Sequence, residues 1–276
     1  MTENITYLSP NGQNVSFGTG TVTRMLVGTI NGVVTLDRRL RGKPWVGSAR
    51  GLKGLHIGAL LCEPGSGKLF AGCHADGGLW VSDDGEGVEW RRLAVGLPHE
   101  HIYALAMREN SGVVSLFAGT SPAALYRSDD LGESWSEISS LRDVPGSDDW
   151  TFIPPPHHPH VKNIIFHPTE PETYFVLVEQ GALLKTTDDG ATWTELDAYV
   201  SETDKSWREV HRLMIHPQTP DLMYLATGEG LYRTRDGGQT FDNVHHRGQR
   251  IGYPEFLFLD PSEHKTVWMG GSHLNP

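Results

Sequence analysis

One short pattern recurs four times in this chain and leaves few folds open to it. Ser128, Asp130, Gly132 and Trp135 in YRSDDLGESW spell S-x-D-x-G-x-S-W. Thr186, Asp188, Gly190 and Trp193 repeat it in TTDDGATW, and Thr234, Asp236, Gly238 and Phe241 repeat it in TRDGGQTF. A looser copy, Ser82, Asp84, Gly87 and Trp90, carries one extra residue. The hydroxyl and carboxylate are suited to bonding the turn's own backbone, and the glycine to a positive φ that a residue with a Cβ resists. The aromatic residue opens the next strand with a large apolar face. Each copy therefore predicts a tight turn between two short strands.

The turns begin at Ser82, Ser128, Thr186 and Thr234, separated by 46, 58 and 48 residues. A repeat of roughly 40 to 50 residues built of four strands is the period of a propeller blade. Aligning the turns aligns what precedes them: HIGALLCEP from His56, HIYALAMRE from His101, HVKNIIFHP from His160 and EVHRLMIHP from Glu209 become innermost strands, with GYPEFLFLDP as a fifth. KLFAGC, SLFAGT, TYFVLV and LMYLAT follow as second strands, and GGLWVS, AALYRS, GALLKT and EGLYRT as third strands.

The expected fold is all-β: a single β-propeller domain over residues 1–276, with four-stranded blades starting near 20 (partial), 56, 101, 160, 209 and 253 (incomplete). About five and a half blades are visible, and six or seven are expected when the propeller is complete. The next turn would fall near residue 279, so the spacing suggests a truncated sequence, with closure by the N-terminal segment as the weaker alternative. In the first blade TRMLVGTINGVVTLD resembles second and third strands, and the innermost strand is not recognisable. Residues 141–159, LRDVPGSDDWTFIPPPHHP, stretch one period and read as an inserted loop on the face where the central channel opens.

Composition agrees. The chain has 32 Gly and 17 Pro among short apolar runs and no long stretch of helical period, which favours many short strands. A formal net charge of −11 argues against a sequence-independent hold on nucleic acid or an anionic membrane. MTENITYLSP lacks the features of a secretory signal, and no segment reaches the roughly 20 apolar residues of a membrane span, so a cytoplasmic location is expected. Cys62 and Cys73 fall near opposite ends of paired strands, which predicts free thiols.

The turns resemble the Asp-box, or BNR, repeats of sialidase-like propellers, sortilin-type receptors and photosystem II assembly-factor-like proteins, over residues from about 20 to 276. The resemblance implies that the box aspartates lie on the outer rim, opposite any active site. Sialidases also carry an arginine-isoleucine-proline motif and three substrate-binding arginines. Here the nearest match is Arg250-Ile251-Gly252, with Gly where Pro is expected, so sialidase activity is disfavoured.

The alignment also collects histidines. The first position of the innermost strand is His56, His101, His160, Glu209 and Tyr253 in turn, and in a propeller that position lies at the channel mouth. Three imidazoles and a carboxylate suit a divalent transition metal (Zn, Fe, Mn, Ni or Cu). His56, His101, His160 and Glu209 are therefore the expected metal ligands. His74, Glu179, Glu229 and His273 fall in the turns at the same mouth and are expected to surround the metal or line its pocket. His211, two residues beyond Glu209, is the expected general base, Tyr253 a proton donor or oxyanion binder, and Glu209 a further catalytic group.

The function expected on these grounds is a metal-dependent enzyme acting on a small molecule at the channel mouth, by hydrolase, lyase or oxygenase chemistry. One alternative is a non-catalytic propeller that binds a protein partner or assists assembly. A third reading is a glycoside hydrolase of sialidase-like fold.

Overall fold

The computed structural model describes residues 4–12, 15–17, 20–200, 208–260 and 263–273. The chain divides into two compact units, Met1–Glu137 and Ile138–Pro276. The first holds three antiparallel or mixed sheets. One contains β1 (Ile5–Leu8), β2 (Val15–Phe17), β3 (Arg24–Thr29), β4 (Gly32–Asp37) and β5 (Val46–Gly51). The next runs β6 (Ile57–Cys62), β7 (Leu69–Cys73), β8 (Leu79–Ser82), β9 (Arg91–Leu93), and the third β10 (His101–Asn110), β11 (Val113–Ser121), β12 (Leu125–Ser128), β13 (Ser136–Glu137).

The second unit repeats the plan. One four-stranded meander is β14 (His160–Phe166), β15 (Tyr174–Glu179), β16 (Ala182–Thr186), β17 (Thr194–Glu195). Another is β18 (Val210–Ile215), β19 (Met223–Thr227), β20 (Gly230–Thr234), β21 (Asp242–His246). The last sheet has two strands, β22 (Tyr253–Leu259) and β23 (Val267–Ser272), with Phe256, Phe258 and Trp268 exposed on it. Antiparallel sheets of four short strands are what the turn spacing predicts; five of the sheets begin at Ile57, His101, His160, Val210 and Tyr253, whereas the first begins at Ile5, well before the expected residue 20.

Within each unit the core lies between neighbouring sheets. Phe70, Leu79 and Leu93 of one blade pack with Leu116, Tyr126 and Trp135 of the next. In the second unit Phe175, Leu177 and Leu183 meet Leu213, Met223 and Leu225. Sheets covered on both faces explain why the strands read as apolar runs with weak alternation. Cys62 and Cys73 are buried free thiols, at opposite ends of the β6–β7 ladder.

The recurring turns close on themselves. Ser128 Oγ accepts the N–H of Gly132 at 2.9 Å and donates to Asp130 Oδ1 at 2.7 Å. Asp130 in turn accepts the N–H of Ser134 at 2.9 Å and its hydroxyl at 2.6 Å. The same four bonds recur at Thr186/Asp188/Gly190/Thr192 and at Thr234/Asp236/Gly238/Thr240. In the looser copy Ser82 still accepts from Gly87 and donates to Asp84, and Asp84 accepts instead from Glu86. Gly132 sits at φ +88°, and a Cβ there would stand 3.0 Å from the Phe70 ring. The turn thus needs glycine for its conformation and for the close approach of the preceding blade.

The first sheet departs from the plan. Its strands run in the order β2-β1-β3-β4-β5: β1 pairs with β3 in parallel, and β2 folds back antiparallel on β1 to form the edge. Too short and polar in its surroundings to stand out in the sequence, β1 still places Tyr7 and Ile5 in the core with Leu26 and Ile57. Residues beyond it run beside β6, where Asn11 N–H donates to Gly58 O and Ser9 Oγ accepts from Leu60 N–H.

A second irregularity is shared. The ladder between first and second strands shifts register between Ile57 and Ala59, Ile102 and Ala104, Val161 and Asn163, Val210 and Arg212, and Pro254 and Phe256. Each is a bulge at the third residue of the aligned segment: Gly58, Tyr103, Lys162, His211 and Glu255. A bulged residue has no ladder partner, and the local kink re-aims its side chain.

Two stability tests follow from the turns. Ser128→Ala removes an acceptor and a donor from a hydroxyl that is 2 % exposed, and is expected to lower stability by about 1–2 kcal/mol in urea unfolding. Hydrogen bonds from Ser134, Thr192 and Thr240 hold Asp130, Asp188 and Asp236 at about 2. Their folded values lie below the unfolded one, so their contribution is complete above about pH 4 and is lost as pH falls through about 2. The urea midpoint should therefore fall across that window, and Asp130→Asn should make the fall shallower.

Candidate functional site

The innermost strands of the second unit and the end of β15 bring eight polar side chains into one largely buried network. His160 opens β14 opposite Glu179, the last residue of β15, and its Nε2–H donates to Glu179 Oε2 at 2.5 Å. Lys162, the bulged residue of β14, donates from Nζ to Glu179 Oε1 at 2.6 Å and to Glu255 Oε2 at 3.0 Å. Glu255 is itself the bulged residue of β22, and its side chain is 43 % exposed. Glu209, just before β18, accepts from Tyr253 Oη at 2.7 Å and from Gln180 Nε2 at 3.3 Å.

His211, the bulged residue of β18, lies at the centre. Its Nδ1 is 2.6 Å from the Pro254 carbonyl. A carbonyl only accepts, so Nδ1 carries the proton. Nε2 then faces Glu179 Oε1 and Glu209 Oε1, each 3.9 Å away, beyond hydrogen-bond reach. The residue is 1 % exposed, and Nε2 makes no hydrogen bond.

Charge explains how three carboxylates share this space. Burial pushes Glu179 up, but Lys162, with help from His160 and His211, more than reverses it and holds the carboxyl at about 2. For Glu209 burial is likewise outweighed, here by the nearby His211 ring and the bond from Tyr253, and the net shift is downward. Burial and the Glu209 anion push the Tyr253 phenol far up, so it remains a donor. Burial brings Arg212, beside Glu255, down to about 10, still protonated at neutral pH. Glu179 and Glu209 are fixed anions, suited to accept bonds or protons rather than to act as acids.

The inserted loop lies over one end of this network. The Phe152 ring meets His160 edge-on, with centroids 4.7 Å apart, and Ile153 N–H donates to Gln180 Oε1 at 2.9 Å. The loop is anchored from below by buried Leu141 and Val144, and Ser140 Oγ accepts from Trp193 Nε1–H.

The first unit holds a different cluster. His56, His74, His101 and Tyr103 form a chain of rings: His56–His74 centroids are 4.2 Å apart, His74–His101 4.8 Å, and His74–Tyr103 4.6 Å in a stacked pair. Gly58 makes room, since a Cβ there would stand 2.2 Å from His74 Nε2.

The expected metal ligands are thus distributed as His56 and His101 in the first unit and His160 and Glu209 in the second. His74 joins the first cluster, while Glu179, His211 and Tyr253 join the second. Glu229 pairs instead with Arg247, and His273 is exposed beyond β23. Lys162, Gln180 and Glu255 escape a reading based on first positions. For Lys162 and Glu255 the signal is the column two residues further on, which also holds His211; Gln180 lies outside that column.

Four-stranded meanders closed by Asp-box turns, with the polar groups gathered where innermost strands begin, define a β-propeller of the BNR/sortilin-like kind. Residues 123–255 match the Sortilin-Vps10 family, described as sortilin, neurotensin receptor 3. Among curated relatives, the oligoxyloglucan-reducing end-specific xyloglucanase of Emericella nidulans is 26% identical over 126 residues, covering 40% of this chain and 15% of that protein. A xyloglucanase of a Paenibacillus species is 25% identical over 168 residues, covering 56% of this chain and 15% of that protein. The GH74 xyloglucanase from Xanthomonas campestris shares the fold at a TM-score of 0.61 and 19% identity, covering 91% of this chain and 42% of that one. The chain therefore spans about a seventh of the curated relatives' length and less than half of that enzyme's.

The network predicts its own stability test. Lys162→Met leaves Glu179 buried with its main counter-charge gone, and is expected to cost about 3 kcal/mol in urea unfolding. Glu255→Gln, at a half-exposed side chain, is expected to cost much less.

Proposed function

We propose that this chain is a glycan-recognising part of a β-propeller glycoside hydrolase, with a β-glucan such as xyloglucan as ligand. The observation that carries this reading is the carboxylate network of the second unit, in a chain whose curated relatives are both xyloglucanases. Sugar hydroxyls are bound by carboxylates and amides, and the flat faces of pyranose rings by aromatic side chains. Glu255, Gln180 and Phe152 supply these groups at half-exposed positions connected to the buried network. Glu179 and Glu209, anionic at neutral pH, hold His160, Lys162 and Tyr253 in place and so fix the floor on which the rim groups stand.

Glycoside hydrolysis needs one carboxyl that is protonated and a second that is not. Glu179 and Glu209 are both held ionised. Binding is accordingly the first property to measure, and cleavage the second. In affinity electrophoresis through gels containing xyloglucan, the purified chain is expected to be retarded relative to plain gels, and Glu255→Gln and Phe152→Ala are each expected to weaken binding ~10-fold. Equal mobility of the folded protein in xyloglucan, unbranched β-glucan and plain gels would sink the proposal.

A further inference from the structure

We propose that Glu179, His211 and Glu255 form a binding site for one divalent transition-metal ion, of the zinc or cobalt type, whose place is held in the metal-free protein by the ammonium of Lys162. This goes beyond the glycan reading and stands without it.

Three observations carry it. One ligand atom from each of the three residues lies within 4.8 Å of the other two. Two donors sharing an ion at metal–ligand distances of about 2.1 Å are at most about 4.2 Å apart. His211 Nε2 and Glu179 Oε1, at 3.9 Å, already meet that limit, and the half-exposed Glu255 needs to close by a few tenths of an ångström.

The second observation is the imidazole. Nδ1–H is committed to the Pro254 carbonyl, the outer contact that typically orients a metal-bound histidine and leaves the other nitrogen to coordinate. That nitrogen is buried, makes no hydrogen bond, and faces the carboxylates. An ion between the three groups gives His211 Nε2 the partner it lacks.

The third is the lysine. Its Nζ bridges Glu179 Oε1 and Glu255 Oε2, so a positive charge already occupies the position where the carboxylates converge. The ammonium satisfies the two oxygens but leaves Nε2 of His211 without a bond. A divalent ion satisfies all three, and its entry requires Lys162 to swing out or lose its proton. Metal and ammonium are thus alternative occupants. The imidazole favours a transition ion over Mg²⁺ or Ca²⁺, and three protein ligands leave a coordination position open. The ligands come from bulged positions in two blades and from the end of a second strand, not from the first positions singled out in the sequence.

The test uses the whole chain, purified without a histidine tag, with Co²⁺ and Zn²⁺ as probes. Titrated Co²⁺ is expected to saturate at one ion per chain, with visible absorption that Zn²⁺ displaces. His211→Gln and Glu255→Gln should each weaken binding ~10-fold or more, and His56→Ala should leave it unchanged. Glu255→Gln lies at a half-exposed position and keeps the test decisive if His211→Gln does not fold. Lys162→Met should bind more tightly than the natural chain, and Zn²⁺ should raise its unfolding midpoint more than it raises that of the natural chain. Absence of saturable binding by both the natural chain and Lys162→Met, each shown folded by circular dichroism, would overturn the proposal. Binding that survives Glu255→Gln and is lost in His56→Ala would overturn it too, and would place the ion among the first-unit histidines.

Discussion

The bond between a box hydroxyl and the backbone N–H of a glycine four or five residues later is the interaction on which this fold rests. At Ser82, Ser128, Thr186 and Thr234 one oxygen ends the third strand of a blade, accepts from the glycine and donates to the aspartate. The turn is therefore closed by bonds between residues at most five positions apart. The glycine it requires also allows the preceding blade to approach, as Phe70 and Leu93 do at Gly132. Local closure and blade packing are joined in one residue.

A second constraint builds the site. The bulge at the third position of each innermost strand delivers Lys162, His211 and Glu255 without ladder partners on those positions, which frees their side chains from the alternation of a regular strand. Burying this much charge is tolerable because the charges answer one another: Lys162 spans Glu179 and Glu255, and Tyr253 caps Glu209. The same position in the first unit carries Gly58 and Tyr103, and there the result is a chain of neighbouring rings rather than an ionic network. One backbone device thus yields two chemistries according to the residues it carries.

Much of the architecture was legible because its determinants are close in sequence. Ser128, Asp130, Gly132 and Ser134 need only each other to make their turn, so their spacing suffices to recognise it. His211 and Tyr253 were also legible as candidate site residues, from their register along aligned strands. Lys162 and Glu255 share a polar column in the aligned strands, but that this column is re-aimed toward the site depends on a bulge, which is a property of a pair of strands and is not written in either one. For the same reason β1 went unread: ITYL becomes a strand by pairing in parallel with β3, across a gap with no signal of its own.

By itself the sequence determined the repeat, the turns, the strand order within each blade, and the set of polar residues carried to the start of the innermost strands. Those are consequences of local hydrogen bonding and of apolar runs of fixed spacing. Tertiary structure alone decided which of these residues meet. Glu179 and Glu255 stand 76 positions apart along the chain, and their common partner Lys162 belongs to a third strand. The balance of burial against charge that holds Glu179 at about 2 exists only once those three strands are packed.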